Sequence, residues 1–255
     1  MIYQFSEILA SVHEFILPFT RIAALFSVAP VLSSPFLQLR IKVAIASILT
    51  IFMIPLLKET QAIELFSANG FIQVGIQILI GLLMGFILRL VFSALTIAGE
   101  NIAVTMGLGF AQITDPVNGV TVPIVSQFLS ISATLLFLAF NGHLALIEML
   151  FDSFTYLPIG YSFDFQSALW GVVSWGTKMF SGALMVAIPA ITALLVANSA
   201  LALMTRAAPQ LNVFSVGFPI TIILGLVVIA LTLPSMAVVF QNLLKTAFVQ
   251  MPFAK

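Results

Sequence analysis

The sequence predicts an all-α integral membrane protein with about six long apolar helices and a broken, glycine- and proline-rich connector near its middle. Of the 255 residues, 61% are hydrophobic and only 7% are charged, and the mean hydropathy is +1.20. A typical soluble domain carries about 25% charged residues, so this composition indicates a membrane protein. No polar stretch is long enough for a soluble domain, which predicts a single membrane domain over residues 1–255.

The helix count follows from apolar stretches that are long enough to cross a bilayer or to form fully buried helices. They cover residues 8–32, 41–57, 72–98, 124–150, 169–204 and 214–240. The fifth stretch contains Pro189, and a proline inside a helix removes one backbone hydrogen bond. We therefore expect the fifth helix to bend or to divide.

The connector, residues 99–123, interrupts the apolar pattern. Gly107, Gly109 and Gly119 free its backbone, and Pro116 and Pro123 block a continuous helix, so we expect no helix there. It nevertheless carries apolar side chains that are unusual in a solvent-exposed loop: Met106, Leu108, Phe110, Ile113, Val117 and Val120. In a protein this apolar, backbone that is neither helix nor strand must form its hydrogen bonds with other parts of the protein or with water. The connector is therefore either a plug in a pathway or an ordinary surface connection between helices.

Charged residues inside the apolar stretches are few. Glu7, Glu14 and Arg21 recur every seven residues and share one stripe of the first helix. Arg89 and Glu100 lie eleven residues apart, about three turns, and also share a face. Because a charge in mid-membrane costs at least a few kcal/mol, we interpret the charges of the first helix as structural ion pairs between helices rather than as a proton relay. Arg89 and Glu100 are either members of a buried pair or charges that line a pathway.

Two faces of small residues predict close helix packing. Gly81 and Gly85 form a small-xxx-small pair in the third stretch, which lets a second backbone approach closely. In the fifth stretch, alanines repeat at helical spacing: Ala190, Ala193, Ala197 and Ala200. Arg206 then begins a compact turn that joins the last two helices.

Other function classes find no support in the sequence. Nine basic residues offset nine acidic ones, so the chain has no net positive charge with which to bind nucleic acid. There is no cysteine, and His143 has no second histidine or carboxylate three or four residues away, so we expect no metal or cofactor. Gly107 and Gly109 lack the third glycine of a dinucleotide-binding loop, and other catalytic motifs are missing, so we expect no enzyme.

The order of several motifs resembles the FliR-type export-gate family of type III secretion systems, in its flagellar branch. These motifs are Arg21, Pro30, Pro35 and Arg40, then Gly99-Glu100, Met106-Gly107-Leu108-Gly109-Phe110-Ala111, Asp115-Pro116, Asn141-Gly142-His143, and Pro209-x-Leu211-Asn212-Val213-Phe214-x-Val216-Gly217-Phe218-Pro219. Each motif is weak alone, but together they follow the family order over nearly the whole chain.

This resemblance implies a flagellar protein-export subunit in the bacterial inner membrane, at the flagellar basal body. It implies assembly with FliP-type and FliQ-type subunits into a helical pore for unfolded substrates, which works with FlhB- and FlhA-type partners. Residues 1–168 would be FliP-like and residues 169–255 a FliQ-like helical hairpin. Some apolar helices would then be buried in that complex, partly raised out of the bilayer.

The resemblance also implies that the connector plugs the closed pore. The positions of this chain that match the plug of the family are Met106, Gly107, Leu108, Gly109, Phe110, Ala111, Ile113, Asp115, Pro116 and Gly119. Glu14, Arg21, Arg89, Glu100 and Arg206 would be structural charges, and Gly81, Gly85, Ala193 and Ala197 would be packing positions. The alternative is a small-solute or ion transporter that binds its substrate near the membrane midplane, among Glu14, Arg21, Arg89, Glu100 and Lys178.

Overall fold

A computed structural model describes residues 5–34, 37–57, 67–109, 112–114, 121–161, 163–207 and 217–251. In this part of the chain the helices are α1 Phe5–Val28, α2 Leu39–Met53, α3 Ala68–Thr105, α4 Ile124–Ala139, α5 Gly142–Tyr156, α6 Phe165–Ala207 and α7 Phe218–Gln250. A short 3-10 helix, Ile54–Leu56, extends α2. Two three-residue strands, β1 Gln112–Thr114 and β2 Thr121–Pro123, pair antiparallel.

The described residues of each of the six predicted stretches are mainly helical, which confirms the all-α fold class. The fourth stretch, however, forms two helices, α4 and α5. Asn141 separates them in the left-handed conformation, with φ 55°. Asparagine tolerates that conformation better than most residues with a side chain, which explains why the break falls here. Pro189, in contrast, does not divide the fifth stretch, because α6 runs through it for 43 residues.

The prediction of a non-helical connector was wrong for its first seven residues, since α3 continues to Thr105. Glycine in a helix costs about 1 kcal/mol relative to alanine, but packing offsets this cost at Gly99. A Cβ atom on Gly99 would lie 2.5 Å from the Ser126 Cα atom and 2.8 Å from its backbone nitrogen. Gly99 therefore permits close contact between α3 and α4 instead of ending α3.

Among the described residues, four helical segments are long and apolar enough to cross a membrane, and α4 with α5 would make a fifth span. The four are Leu39–Leu56, Ala68–Thr105, Phe165–Ala207 and Phe218–Gln250. The first predicted stretch forms α1 but is not among them. In the most apolar window of α3, 61% of the residues are buried, against 17% in that of α7. Much of α7 therefore presents apolar surface to lipid or to another protein.

The chain divides into two compact units. The first comprises Met1–Arg89, Asn141–Trp175 and Thr246–Lys255, and the second comprises Leu90–Phe140 and Gly176–Lys245. Trp175 and Leu25 are fully buried in the first unit. In the second unit, the Phe92 ring packs edge-on against Phe137 and Phe240, with centroid distances of 5.6 and 5.5 Å.

Asp164 caps the first turn of α6 in the first unit. Its carboxylate accepts hydrogen bonds from the backbone N–H groups of Gln166 and Ser167, at 3.1 and 3.2 Å, and from the Ser167 hydroxyl at 2.6 Å. The Ser167 hydroxyl is the largest cause that lowers the pKa of this exposed carboxyl. Asp164 is therefore a charged cap at neutral pH, which suits the positive end of a helix dipole.

Candidate functional site

Arg21 is fully buried in the first unit, and every hydrogen bond described for it ends on a neutral oxygen. Its Nε atom donates to Gln77 Oε1 at 2.7 Å. Its Nη1 atom donates to the Ser153 carbonyl and hydroxyl oxygens at 3.0 and 3.1 Å, and Nη2 donates to the Leu157 carbonyl at 2.8 Å. The planar guanidinium group thus ties α1 to α3 and to the end of α5.

The α5 end offers these acceptors because the last carbonyl groups of a helix lack partners within the helix. Leu157 is the C-cap residue of α5, and Ser153 lies in its last turn. The C-terminal end of a helix carries partial negative charge, so it favours a cation there. The Arg21 Cζ atom also lies 4.1 Å from the centroid of the Phe154 ring, which adds a cation–π contact.

The ion-pair interpretation of the charged residues is corrected in two respects. Arg21 is buried, but its described hydrogen bonds are to neutral groups rather than to a carboxylate. Glu14 and Arg89 are exposed in the first unit, so neither is a buried member of a pair. Burial of Arg21 with exposure of Glu14 and Arg89 also means that these three residues do not share one buried substrate site.

The remaining candidate charges are less buried than Arg21. Glu100 and Lys178, both in the second unit, are half-buried. Arg206 is exposed in the last turn of α6, where a cation suits the negative end of the helix dipole. His143 is exposed, and among the residues that the structure describes no histidine or carboxylate cluster could hold a metal ion.

The Arg21 site depends on very close packing of α1 against α3 at Gly81 and Gly85. A Cβ atom on Gly81 would collide with the Arg21 carbonyl oxygen and would lie 2.9 Å from Ala24 Cβ. A Cβ atom on Gly85 would lie 3.1 Å from the Leu25 carbonyl oxygen. The helix that packs against Gly81 and Gly85 is therefore α1 of the same chain.

Sequence reasoning missed Gln77, the partner of Arg21 on α3, although a signal was present. Gln77 precedes Gly81 by four residues and Gly85 by eight, so the three positions share one face of α3. A polar amide on the face used for tight packing indicates a buried hydrogen-bond partner, because buried amides are nearly always satisfied. No comparable sequence pattern marked the other contacts of Arg21, which are Ser153, Phe154 and Leu157.

In the second unit, the connector leaves α3 through a defined helix end. The Leu108 N–H donates to the Ala103 carbonyl at 2.8 Å, and the Gly107 N–H donates to the Val104 carbonyl at 3.0 Å. Gly107 has φ 82°, the left-handed conformation that this pair of bonds requires and that glycine adopts without strain. This is a Schellman motif, so two of the last carbonyl groups of α3 are hydrogen-bonded at its end.

Met106, immediately before Gly107, is seated on α7 and is only 1% exposed. The Thr221 hydroxyl lies 3.3 Å from the Met106 carbonyl oxygen, but its shorter hydrogen bond, at 2.9 Å, goes to the Phe218 carbonyl of its own helix. A Cβ atom on Gly225 would lie 2.7 Å from both Met106 Sδ and Met106 Cγ, so Gly225 leaves the space that Met106 fills. The Phe218 ring lies beside Gly107, with ring carbon Cε2 3.1 Å from where a Cβ atom would be.

A second contact comes from α6, where Asn198 Nδ2 donates to the Thr105 carbonyl at 3.3 Å. We call Thr105 to Gly107, where α3 ends inside the connector, the root. The root thus contacts both α6 and α7. On α6, Ala190 is buried while Ala193 and Ala197 are half-buried, so the alanine face is only partly covered.

The other predicted plug residues fall into three groups. Gly107 is exposed, and Leu108 and Gly109 are half-buried. Ile113 lies in β1, where it pairs with Val122 of β2. The remaining plug residues lie outside the described part of the chain: Phe110, Ala111, Asp115, Pro116 and Gly119. Because Met106 is buried against α7, we reinterpret it as part of the root instead of a side chain that enters a pore.

Comparisons with known proteins give one consistent family. The family described as bacterial export proteins, family 1, matches residues 12–247. A flagellar biosynthetic protein FliR of Pectobacterium carotovorum subsp. carotovorum is 40% identical over 237 residues, which cover 93% of this chain and 90% of the relative. The protein of that name from Escherichia coli (strain K12) is 38% identical over 231 residues, covering 91% and 88%.

More distant relatives agree over a similar length. The flagellar biosynthetic protein FliR of Bacillus subtilis (strain 168) is 28% identical over 232 residues, with 89% of each chain covered. The range matched by the family, residues 12–247, includes Arg21, the connector and Gly225. Both sites described above therefore lie within the region of similarity.

Proposed function

Because the chain belongs to family 1 of the bacterial export proteins, we propose that it is a non-enzymatic subunit of the flagellar type III protein export gate. Family membership and the named relatives make it a component of flagellar export, and its apolar helices make it a membrane protein. The finer proposal is that it forms, with FliP-type and FliQ-type subunits, the channel for unfolded export substrates. Its connector closes that channel when no substrate is present.

The observation that supports the proposal is the hydrogen-bonded root, from which the apolar remainder of the connector continues. The Schellman motif uses the amides of Gly107 and Leu108, and the Met106 side chain fills the space at Gly225 on α7. Apolar side chains beyond the root, such as Leu108 and Phe110, can exclude water and ions from an empty channel. An unfolded substrate can displace them without covalent chemistry. Contacts of the root with α6 and α7 would keep the displaced segment next to the channel.

Exposed apolar surface supports assembly with other subunits. Only 17% of the residues in the apolar window of Leu39–Leu56 are buried, and α7 has the same share. We propose that FliP-type and FliQ-type subunits cover part of this surface, that FlhA- and FlhB-type proteins join the complex, and that lipid covers the rest. On this proposal residues 1–168 act as the FliP-like part and residues 169–255 as the FliQ-like hairpin, in the inner membrane at the basal body.

A pull-down tests the assembly directly. Affinity-tagged chain, expressed from its own locus and solubilised in mild detergent, is expected to co-purify with FliP-type and FliQ-type subunits. Identification of the retained membrane proteins by mass spectrometry provides the measurement. Recovery of the tagged chain alone, from cells that assemble flagella, would contradict the proposed complex.

Replacing residues 110–119 with a short Gly-Ser linker tests the plug. This change keeps Met106, Gly107 and the cap of α3, so the root stays intact. In cells that express all gate subunits, we expect the inner membrane to become permeable to ions and small molecules, because the apolar closure is gone. Uptake of a membrane-impermeant dye and loss of membrane potential are the measurements.

Assembly must be checked in the same cells. Normal co-purification of the partner subunits shows that the linker variant still enters the complex. Normal co-purification together with unchanged permeability would mean that the connector is not the plug. Without the partner subunits, the linker variant should leave permeability unchanged, because one chain does not enclose the channel.

A further inference from the structure

A cavity of about 180 Å³ lies beside Arg21 in the first unit, and no step of the proposed export function uses it. Its lining comes from α3, from the end of α5 and from the segment that follows, and it includes Gln77, Ile80, Tyr156, Leu157 and Tyr161. Arg21 donates hydrogen bonds to two of these lining residues, Gln77 at 2.7 Å and Leu157 at 2.8 Å. The buried cation therefore lies directly behind the wall of the cavity.

Arg21 forms no ion pair with the residues that the structure describes, since its hydrogen bonds all end on neutral oxygens. A buried cation without an opposite charge is costly, because it has lost its hydration without electrostatic compensation. Asp152 and Asp164 flank the lining segment 156–163 in sequence, but both are exposed, so water screens their charges more than that of Arg21. An anion in the cavity would therefore be attracted by Arg21.

Gln77 presents the hydrogen-bond donor that such an anion needs. Its side chain is only 1% exposed and lines the cavity. The Oε1 atom accepts the hydrogen bond from Arg21 Nε, whereas the Nε2 atom has no hydrogen bond with any described residue. The bond from Arg21 also polarises the Gln77 amide, which makes Nε2 a stronger donor. Because buried amide groups are nearly always hydrogen-bonded, this nitrogen indicates an acceptor that comes from outside the chain.

The surroundings of the cavity favour a membrane phospholipid as the source of that acceptor. Tyr156 and Tyr161 are 54% and 58% exposed, and tyrosines are enriched where lipid headgroups meet water. The segment leads directly into α6, which begins at Phe165 and is long and apolar enough to cross a membrane. Early in α6, the exposed side chains of Leu169 and Trp170 present apolar surface to acyl chains. A phosphate group in the cavity would thus lie at the depth of the headgroups.

We propose that this cavity is a phospholipid site, in which the Gln77 amide N–H groups bind the lipid phosphate and Arg21 attracts it through Gln77. The bound lipid joins α3 to the segment after α5 and offsets the cost of burying Arg21. The proposal goes beyond channel closure and does not depend on the plug, because every residue that it uses lies in the first unit.

Defined lipids added to the purified, delipidated full chain test the site. In a phosphate-free, non-ionic detergent, short-chain phosphatidylglycerol is expected to raise the unfolding midpoint in a saturable way, because a ligand of the folded state stabilises it. Diacylglycerol with the same acyl chains lacks the phosphate and should leave the midpoint unchanged. Inorganic phosphate at the same concentration should act much more weakly, because it has no acyl chains to bind the apolar surface.

Three outcomes of this experiment would overturn the proposal. No response to phosphatidylglycerol would leave a carboxylate of a partner subunit as the anion to seek. An equal response to diacylglycerol would mean that the phosphate is not recognised. An equal response to inorganic phosphate would assign the cavity to a free anion instead of a lipid.

Gln77→Glu tests whether the phosphate binds at this cavity. The new carboxylate can still accept the hydrogen bond from Arg21, but it repels phosphate and has no N–H group to donate. We expect the apparent Kd for phosphatidylglycerol to rise at least about tenfold. Asn69→Asp is the matched control, because it makes the same amide-to-acid change at an exposed position near the start of α3, and its Kd should match that of the wild type.

Tyr161→Asp tests the same point at an exposed position, so it does not depend on how the core tolerates Gln77→Glu. It places a carboxylate in the lining of the cavity and should weaken binding of phosphatidylglycerol severalfold. Wild-type affinity in either folded variant would overturn the proposal. So would an equal loss of affinity in Asn69→Asp, because the effect would then follow from net charge and not from this cavity.

Discussion

Replacing Arg21 with methionine is expected to destabilise the first unit by roughly 2–5 kcal/mol, because several buried acceptors lose their donor together. Gln77 Oε1 and the Leu157 carbonyl would be left without the hydrogen bonds that Arg21 gives them. Lysine should restore only part of the stability, since an ammonium group cannot reproduce the fork of the guanidinium group. The measurement is the unfolding midpoint of the purified protein in detergent, followed by tryptophan fluorescence.

Glu14→Gln is the control for this experiment. Glu14 lies on the same helix as Arg21 but is exposed, so its loss of charge should change stability by less than about 0.5 kcal/mol. Trp175 is fully buried in the same unit as Arg21 and supplies a local signal. An unchanged midpoint for Arg21→Met would mean that the hydrogen bonds of Arg21 do not hold this unit together.

Gly81→Ala is expected to destabilise the same unit, although alanine favours helix by about 1 kcal/mol relative to glycine. The new Cβ atom would collide with the Arg21 carbonyl oxygen and lie 3.0 Å from the Leu25 nitrogen, and both are backbone atoms that cannot rotate away. Overpacking of this kind costs about 1–3 kcal/mol, and displacement of α1 would also disturb the Arg21 hydrogen bonds.

Gly75→Ala on α3 gives the opposite expectation. A Cβ atom there has nothing within 4 Å, so alanine should stabilise the helix by up to about 1 kcal/mol. The two substitutions are chemically identical, and the sign of the change in unfolding midpoint distinguishes them. Midpoints that move in the same direction for both variants would contradict close contact of α1 with α3 at Gly81.

Hydropathy located the apolar helical stretches, but it showed neither the break between α4 and α5 nor the contacts between helices. The spacing of Gly81 and Gly85 predicted a close helix contact, yet no local pattern showed that α1 makes it. Arg21 was predicted to form an ion pair between helices, but its partners Gln77, Ser153 and Leu157 are neutral and lie 56, 132 and 136 residues away. Their neutral side chains and carbonyl groups leave no charge pattern in the sequence.

The connector shows where local signals are overridden. Gly99 looked like the start of an irregular segment, but contact with Ser126 keeps it in α3. Met106 looked like a plug side chain because it is apolar and precedes glycines. Only Gly225, more than a hundred residues later in the chain, shows that Met106 is seated on α7.

The central claim is that the connector closes a channel that this chain builds only with its partners. Electrical conductance of the purified export gate in a planar bilayer tests it most directly, with the intact chain and with the linker variant of residues 110–119. The account predicts that the intact assembly is closed and that the linker variant passes a steady ion current. Equal conductance of the two assemblies would contradict it.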